Sequence, residues 1–275
     1  RMTSSKVTVT SNNSTLVVTI NRPAVRNAVD NETAEALAAA FKAFNANPNL
    51  KVAVFTGAGA CFCAGADLNE MASGARRKRW HESTDGPMGP TRLALSKPVI
   101  GAIEGYAVAG GFELALWCDL RVAADNAVFG VFNRRWGVPL MDGGTVRLPR
   151  LVGVGRALEI AMTGRPVSAI EAHQIGLVNA LTAPGRALER ALEIADTIAA
   201  LPQNAMNLDR QAIHRQVGLP LKDAMDAEFI HSLAAQGVES GASRFVHGLG
   251  RHGAPVAEND RSVTEPPGIT AGPTQ

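Results

Sequence analysis

Gly110-Gly111-Phe112-Glu113, directly behind Tyr106-Ala107-Val108-Ala109, concentrates the chemistry of this chain. Neither glycine carries a Cβ, so another group can approach the main chain closely there. Glu113 to Trp117 reads as a helix. Its free N–H groups and positive dipole end would face whatever rests against the glycines. A carboxylate stands within that first turn. An anion site beside a carboxylate base is what forming and protonating an enolate requires. Glu113 also has a plainer reading, as a first-turn partner of the helix dipole, which the double glycine makes the weaker of the two.

A second segment, Phe62-Cys63-Ala64-Gly65-Ala66-Asp67-Leu68, leaves a strand and loop and enters a short helix expected over Asp67 to Met71. Taken alone it is a tight strand-to-helix turn. Paired with Gly110-Gly111 it adds a backbone donor from a separate loop. Two converging N–H groups make an oxyanion hole, effective because the donors are fixed before charge develops.

The elements that must hold these two loops are legible from periodicity. Val7-Thr8-Val9 and Leu16 to Ile20 flank Ser11-Asn12-Asn13-Ser14 as a hairpin. Asp30 or Asn31 caps a helix running through Ala34, Leu37, Ala40, Phe41 and Phe44, which Asn47-Pro48-Asn49 ends. Val52 to Phe55, Val99 to Ile103, Leu120 to Ala123 and Val128-Phe129 read as short strands, and Leu177-Val178 as a last one. Ser168-Ala169-Ile170-Glu171 has the form of a capping box. Pro184, Pro202 and Pro220 stand near helix starts, where proline is tolerated. From Gly143 the chain is mostly helical. The fold class is therefore α/β, with a core expected over 1–195, a helical subdomain over 196–252 and a disordered Pro/Gly/Thr-rich tail over 253–275. Arg76 to Pro90, charged and then rich in Gly and Pro, is expected to be mobile.

Bulk properties exclude several classes. A hydrophobic fraction of 46% with only 5% aromatics implies a sizeable core of Ala, Val, Leu and Ile. A formal charge of +2 is too small to imply a nucleic-acid partner. No apolar stretch reaches membrane-spanning length, and Arg1 to Lys6 lack the apolar segment of a signal peptide. Cys61, Cys63 and Cys118 form no disulfide framework, so a cytoplasmic location is expected and the three read as small buried or half-buried residues. Neither Cys61-Phe62-Cys63 nor the six histidines, His81, His173, His214, His231, His247 and His252, have metal-site spacing. No metal and no nucleic-acid or membrane partner are expected.

Further segments occur in a fixed order: Asn21-Arg22-Pro23, Asn27-Ala28, Lys97-Pro98, Gly105-Tyr106-Ala107, Cys118-Asp119, Gly143-Gly144-Thr145, Leu148-Pro149-Arg150 and Thr163-Gly164-Arg165. With the two loops above, they make the chain resemble the crotonase (enoyl-CoA hydratase/isomerase) superfamily from about residue 7 to about residue 252. The resemblance implies a spiral of ββα units with a C-terminal helical region, and assembly as a homotrimer or a dimer of trimers. It also implies acyl-CoA thioester substrates of the kind handled in fatty acid metabolism, with coenzyme A present only as part of the substrate. Ala66 and Gly110 fall at the oxyanion-hole donors. Ala24, Arg26, Ala64, Asp67 and Leu68 fall where CoA is bound, largely through backbone. Arg251 and His252 are weaker candidates for the CoA phosphates.

The same resemblance matches Glu113 to the first of two catalytic glutamates of hydratases, which share water activation at Cβ and proton delivery at Cα. Twenty positions on stands Asn133, whose amide can orient water but neither gives nor takes a proton near neutral pH. This departure bears directly on hydration. Asp142 lies beside a position where relatives with other activities carry an acid. It reads either as a catalytic carboxylate or as the N-cap of the helix entered at Gly143. The expected activity is that of an enoyl-CoA hydratase or hydratase-like lyase. A double-bond isomerase using Glu113 alone and a thioester or C–C hydrolase using Asp142 are the alternatives. Arg76-Arg77-Lys78-Arg79 reads as a solvated or gating helix face, and a non-enzymatic RNA-binding homologue would use it instead.

Overall fold

The computed structural model describes residues 5–82 and 84–250; Arg251, His252 and the tail from Gly253 lie outside them. The described residues up to Ala199 form one compact unit and those from Ala200 onward a second.

In the first unit, β1 (Val7–Asn12) and β2 (Thr15–Ile20) form the expected antiparallel hairpin. Asn13 at its tip has a φ of 52°, a left-handed conformation that Asn tolerates. Leu16, Val18 and Ile20 alternate onto the buried face. α1 (Asn31–Ala46) is capped by Asp30, whose Oδ1 accepts from the Thr33 amide at 2.8 Å and from the Thr33 hydroxyl. Ala34, Leu37, Phe41 and Phe44 make its buried stripe. β3 (Val52–Gly57) follows and is buried at every position, as a central parallel strand must be. Then come α2 (Leu68–Ser73), α3 (Arg77–Glu82), β4 (Val99–Ile103), β5 (Tyr106–Val108), α4 (Gly110–Trp117), β6 (Leu120–Ala124) and β7 (Val128–Gly130). α5 (Gly144–Val152), α6 (Val154–Thr163), β8 (Val167–Ser168), α7 (Ala169–Gln174), β9 (Ala180–Thr182) and α8 (Ala187–Ala199) complete the unit.

The main sheet has the order β1-β2-β3-β4-β6-β9, parallel from β2 onward, and β5-β7-β8 form a smaller sheet. Strand alternation divides the core in two. Val52, Val54, Ile100, Ala102 and Val122 meet the alanine stripe Ala187, Ala191 and Ala195 of α8. Ala53, Phe55, Val99 and Ile103 turn the other way, toward Phe41, Phe44 and Phe112. With few aromatics available, edge-on contacts concentrate there: Phe55 sits 5.3 Å from both Phe41 and Phe62.

Two local expectations are corrected. Leu177-Val178 is not a strand: both residues are buried, and both amides donate to the Ala172 carbonyl at 2.8 and 3.1 Å, closing α7. The last strand starts two residues later at Ala180. Ser168 caps α7 through the Glu171 amide, but the Glu171 carboxylate does not reach back. It is drawn instead to Arg165, at 2.6 Å, where a charged partner outcompetes a neutral amide.

The second unit contains α9 (Gln203–Arg215), α10 (Leu221–Ser232) and α11 (Val238–Val246). Pro202 and Pro220 occupy the N-cap positions of α9 and α10, where no intrahelical donor is lost. Among the described residues, no helix is long and apolar enough to cross a membrane.

One buried side chain holds the route from β3 to the first loop. Asn27 donates to the carbonyls of Ala58 (3.0 Å) and Cys61 (2.6 Å) and accepts from the Arg22 amide (2.9 Å). Asn27→Ala strands three backbone partners. It is expected to destabilise the protein by about 2–4 kcal/mol, read as a lower urea midpoint with an unchanged slope.

Candidate active site

The first loop is placed by two parallel bridges. Cys63 pairs with Ala107, its amide donating to the Tyr106 carbonyl at 2.9 Å. Val29 pairs with Ala66 by donating to the Gly65 carbonyl and accepting from the Asp67 amide, at 2.8 and 2.9 Å. The bridge uses the groups on either side of Ala66, so the Ala66 amide itself turns away from Val29. The second loop turns at Ala109, a non-glycine residue with φ 53° and ψ −125°, a costly conformation anchored by its amide on the Gly130 carbonyl. α4 starts at the next residue, so the Gly110 amide has no intrahelical acceptor. Among the described residues, neither the Ala66 nor the Gly110 amide donates to a protein acceptor.

The glycines bring the loops together. A Cβ on Gly111 would lie 2.1 Å from the Cys63 carbonyl oxygen, and one on Gly65 would lie 3.2 Å from the Gly110 nitrogen. The approach allowed at Gly111 is therefore taken up by the protein itself. At Gly110 the neighbour is Met88, whose sulfur would be 2.8 Å from an added Cβ.

Ala64, Ala66, Leu68, Gly110, Glu113, Asn133 and Asp142 line one cavity of about 220 Å³, with apolar walls from Met71, Trp80, Met88, Phe132 and Trp136. Glu113 is 3% exposed. Its Oε1 accepts from the Asp142 amide at 2.9 Å and the Gly144 amide at 2.8 Å, the entry to α5. A Cβ on Gly144 would reach that oxygen at 2.9 Å, which explains the residue type. Burial, seconded by the nearby Asp142 charge, raises the Glu113 carboxyl to about 7 against the pull of those amides. Such a carboxyl exchanges its proton near neutral pH.

Asp142 is not the N-cap of α5. That position belongs to Gly143, without a side-chain bond, and the Asp142 carboxylate is taken by other partners. Its Oδ1 accepts from the Met88 amide at 2.9 Å and from the Thr91 hydroxyl. Burial raises its carboxyl too, and those two donors oppose the rise. Thr91 and Met88 carried no signal in the sequence, because they lie 51 and 54 residues from Asp142. Asn133 lies in the 3-10 turn Phe132–Trp136. Its Nδ2 donates to the Val138 carbonyl at 2.8 Å, while its buried Oδ1 has no partner.

Of the residues assigned to CoA by resemblance, Ala64 and Leu68 line the cavity. Ala24 and Arg26 sit on the exposed 3-10 turn Pro23–Val25 and its cap, outside the lining. Asp67 caps α2 through the Asn69 amide and pairs with Arg22 at 3.2 Å. Cys63 and Cys118 are buried, and burial pushes both thiols up to about 12, in keeping with a packing role. Among the described residues, no group of three or more His, Cys, Asp or Glu could hold a metal ion.

The basic run is corrected. Arg76 is 1% and Arg79 8% exposed, so these two are interior, while Arg77 is exposed. Arg76 also lines the cavity and donates to the carbonyls of Val29 (2.6 Å) and Pro87 (2.7 Å). Arg79 donates to Gly86 at 3.2 Å. Val29 and Gly86 already accept from the amides of Asp67 and Gly89, so the guanidiniums add a second, charged donor to each of those carbonyls, and Arg76 also takes that of Pro87. These bonds hold Gly86 and Pro87 against Arg76 and Arg79, and residues 77–82 form α3.

The family model for enoyl-CoA hydratase/isomerase matches residues 10–248. The chain is 36% identical to the enoyl-CoA hydratase EchA19 of Mycobacterium tuberculosis over 217 residues, covering 76% of this chain and 80% of that protein. It is 37% identical to the short-chain-enoyl-CoA hydratase of Clostridium acetobutylicum, covering 77% and 82%. Its fold is similar to the crystal structure of enoyl-CoA hydratase EchA1 from Mycobacterium marinum, with a TM-score of 0.82 and 35% identity, covering 88% and 96%.

The Glu113 environment makes a stability prediction. Its carboxyl titrates near 7 in the fold against 4.5 ordinarily, so between those values the native state holds a proton the unfolded chain has released. Stability therefore falls as pH rises through that window. Glu113→Gln, which keeps the Oε1 acceptor, is expected to be the more stable form at pH 8, by on the order of 1–3 kcal/mol. Its advantage in calorimetric Tm should disappear below about pH 4.5.

Proposed function

The chain belongs to the enoyl-CoA hydratase/isomerase family, and from that premise we propose an enoyl-CoA hydratase-like lyase that stabilises a thioester enolate. One observation carries this reading: two amides without a protein acceptor line the same cavity as a buried carboxyl that titrates near neutrality. The amides of Ala66 and Gly110 hold the thioester oxygen and strengthen their grip as charge moves onto it. Glu113 takes a proton from water as the water attacks Cβ, then returns it to the enolate at Cα. This chemistry calls for no metal and for no cofactor beyond the CoA carried by the substrate. Ala64 and Leu68 supply main-chain contacts to CoA from the cavity rim. Ala24, Arg26 and Asp67 belong to the same CoA-facing surface.

A second reading, double-bond isomerisation, is favoured by Asn133. Its amide is engaged with Val138 and cannot act as the second acid of a two-glutamate hydration. A single carboxyl can move a proton between two carbons of one enolate. The RNA-binding alternative loses support, since two of its four cations are buried on carbonyls.

Self-association into a trimer or a dimer of trimers is part of the proposal. Val154, Leu158 and Met162 repeat every four residues along α6 and are 66%, 51% and 67% exposed, an unpaired apolar stripe.

Wild-type protein incubated with crotonyl-CoA and with longer and branched enoyl-CoA thioesters is expected to yield products heavier by one water. Products of unchanged mass would identify the isomerase. Glu113→Gln should lower kcat by about 10²–10⁴ with CoA affinity nearly unchanged. Unaltered turnover would remove Glu113 from the mechanism. Asn133→Glu should raise crotonyl-CoA hydration.

A further inference from the structure

The carboxyls of Glu113 and Asp142 share one cavity but are held differently. Glu113 Oε1 receives only main-chain amides, from Asp142 and Gly144. Asp142 Oδ1 receives the Met88 amide and the Thr91 hydroxyl. The charged groups around the pair come from several elements. Arg76, ahead of α3, and Arg92, at the end of the 3-10 turn Pro90–Arg92, act on Asp142 and favour its ionised form. Arg147, on α5, feels both carboxylates. Its Nη1 donates to the Asp142 carbonyl at 2.9 Å and its Nη2 to the Thr91 carbonyl at 2.7 Å, so it is spent on main chain. Asp142 is thus held by two hydrogen bonds and flanked by cations, in a place where its charge acts on Glu113.

Resting on the proposed function, we infer that Asp142 is a positioning residue. Its carboxylate, fixed by the Met88 amide and the Thr91 hydroxyl, stands beside Glu113, whose Oε1 rests on the Asp142 amide, and its negative charge keeps the exchangeable proton of the pair on Glu113. It moves no proton itself and touches no reacting atom. The same two bonds tie the 86–91 segment, and with it Met88, over Gly110. Asp142 therefore couples the state of the acid/base to the wall of the anion site. A hydrolase in which Asp142 activates water requires the opposite: a carboxylate free to take a proton.

Asp142→Asn keeps the shape and an acceptor oxygen for Met88 and Thr91 while removing the charge. The midpoint of the kcat/KM–pH profile that follows Glu113 should move down by roughly one pH unit, since a like charge has gone. Turnover should persist at its new optimum. An unmoved midpoint in a folded variant would make Asp142 purely structural. Loss of turnover at every pH with CoA binding retained would make it a proton carrier. Either result overturns the inference. Infrared spectroscopy of wild type and Glu113→Gln tests the same point without Asp142→Asn. At pH 6 the wild type should show the C=O stretch of a buried protonated carboxyl, and Glu113→Gln should lack it. A band that persists in Glu113→Gln would put the proton on another carboxyl. If no thioester is turned over by the wild type, the proposed function fails while the infrared result still stands or falls alone.

Discussion

Gly111 lies flat against the Cys63 carbonyl, with no room for a single added carbon. The rest of the site depends on that contact. It lets α4 begin where the loop after Gly57 passes, so two amides from segments far apart in sequence line one cavity. Main-chain donors placed this way cannot relax toward a developing charge or away from it. Their rigidity derives from the bridges at Cys63–Ala107 and Val29–Ala66 and from the three hydrogen bonds of Asn27. Packing density, more than any one side chain, thus sets the electrostatics of the site.

Burial does the corresponding work on the carboxyls. A surface glutamate is ionised at neutral pH and is a poor carrier of a proton in both directions. Taking Glu113 out of water, beside another carboxylate, brings its proton affinity to where it can be both given and taken. The entry to α5 moderates the effect, because its amides still solvate the anion. The cost is borne by the fold, since a buried carboxylate above neutral pH destabilises the native state.

Arg76 and Arg79 show how a charged sequence can be interior. Their charges are screened by Glu70, Glu35 and Asp85 at 3.6 to 4.0 Å, and their donors reach the carbonyls of Val29, Gly86 and Pro87. Charge periodicity alone points to solvent. The decisive term, which carbonyls and carboxylates lie within reach of a guanidinium, depends on where the chain runs in three dimensions.

The sequence by itself determined the hairpin at Asn13, the start of α1 at Asp30 or Asn31 and its apolar stripe, the short strands β3, β4 and β6 of the main sheet, and the glycines of the 62–68 and 110–111 loops. Each is a local pattern of period, cap or glycine, readable within a few residues. Asn133 in place of a second glutamate was equally visible. The partners were not. That Asp142 bonds Met88 and Thr91 instead of capping α5, that Glu113 rests on the entry to α5, and that Arg76 is buried were decided by tertiary structure. These contacts join residues 29 to 54 positions apart, a separation over which a linear pattern carries no distance information. A side chain's ionisation likewise depends on the solvent it loses, which only packing defines.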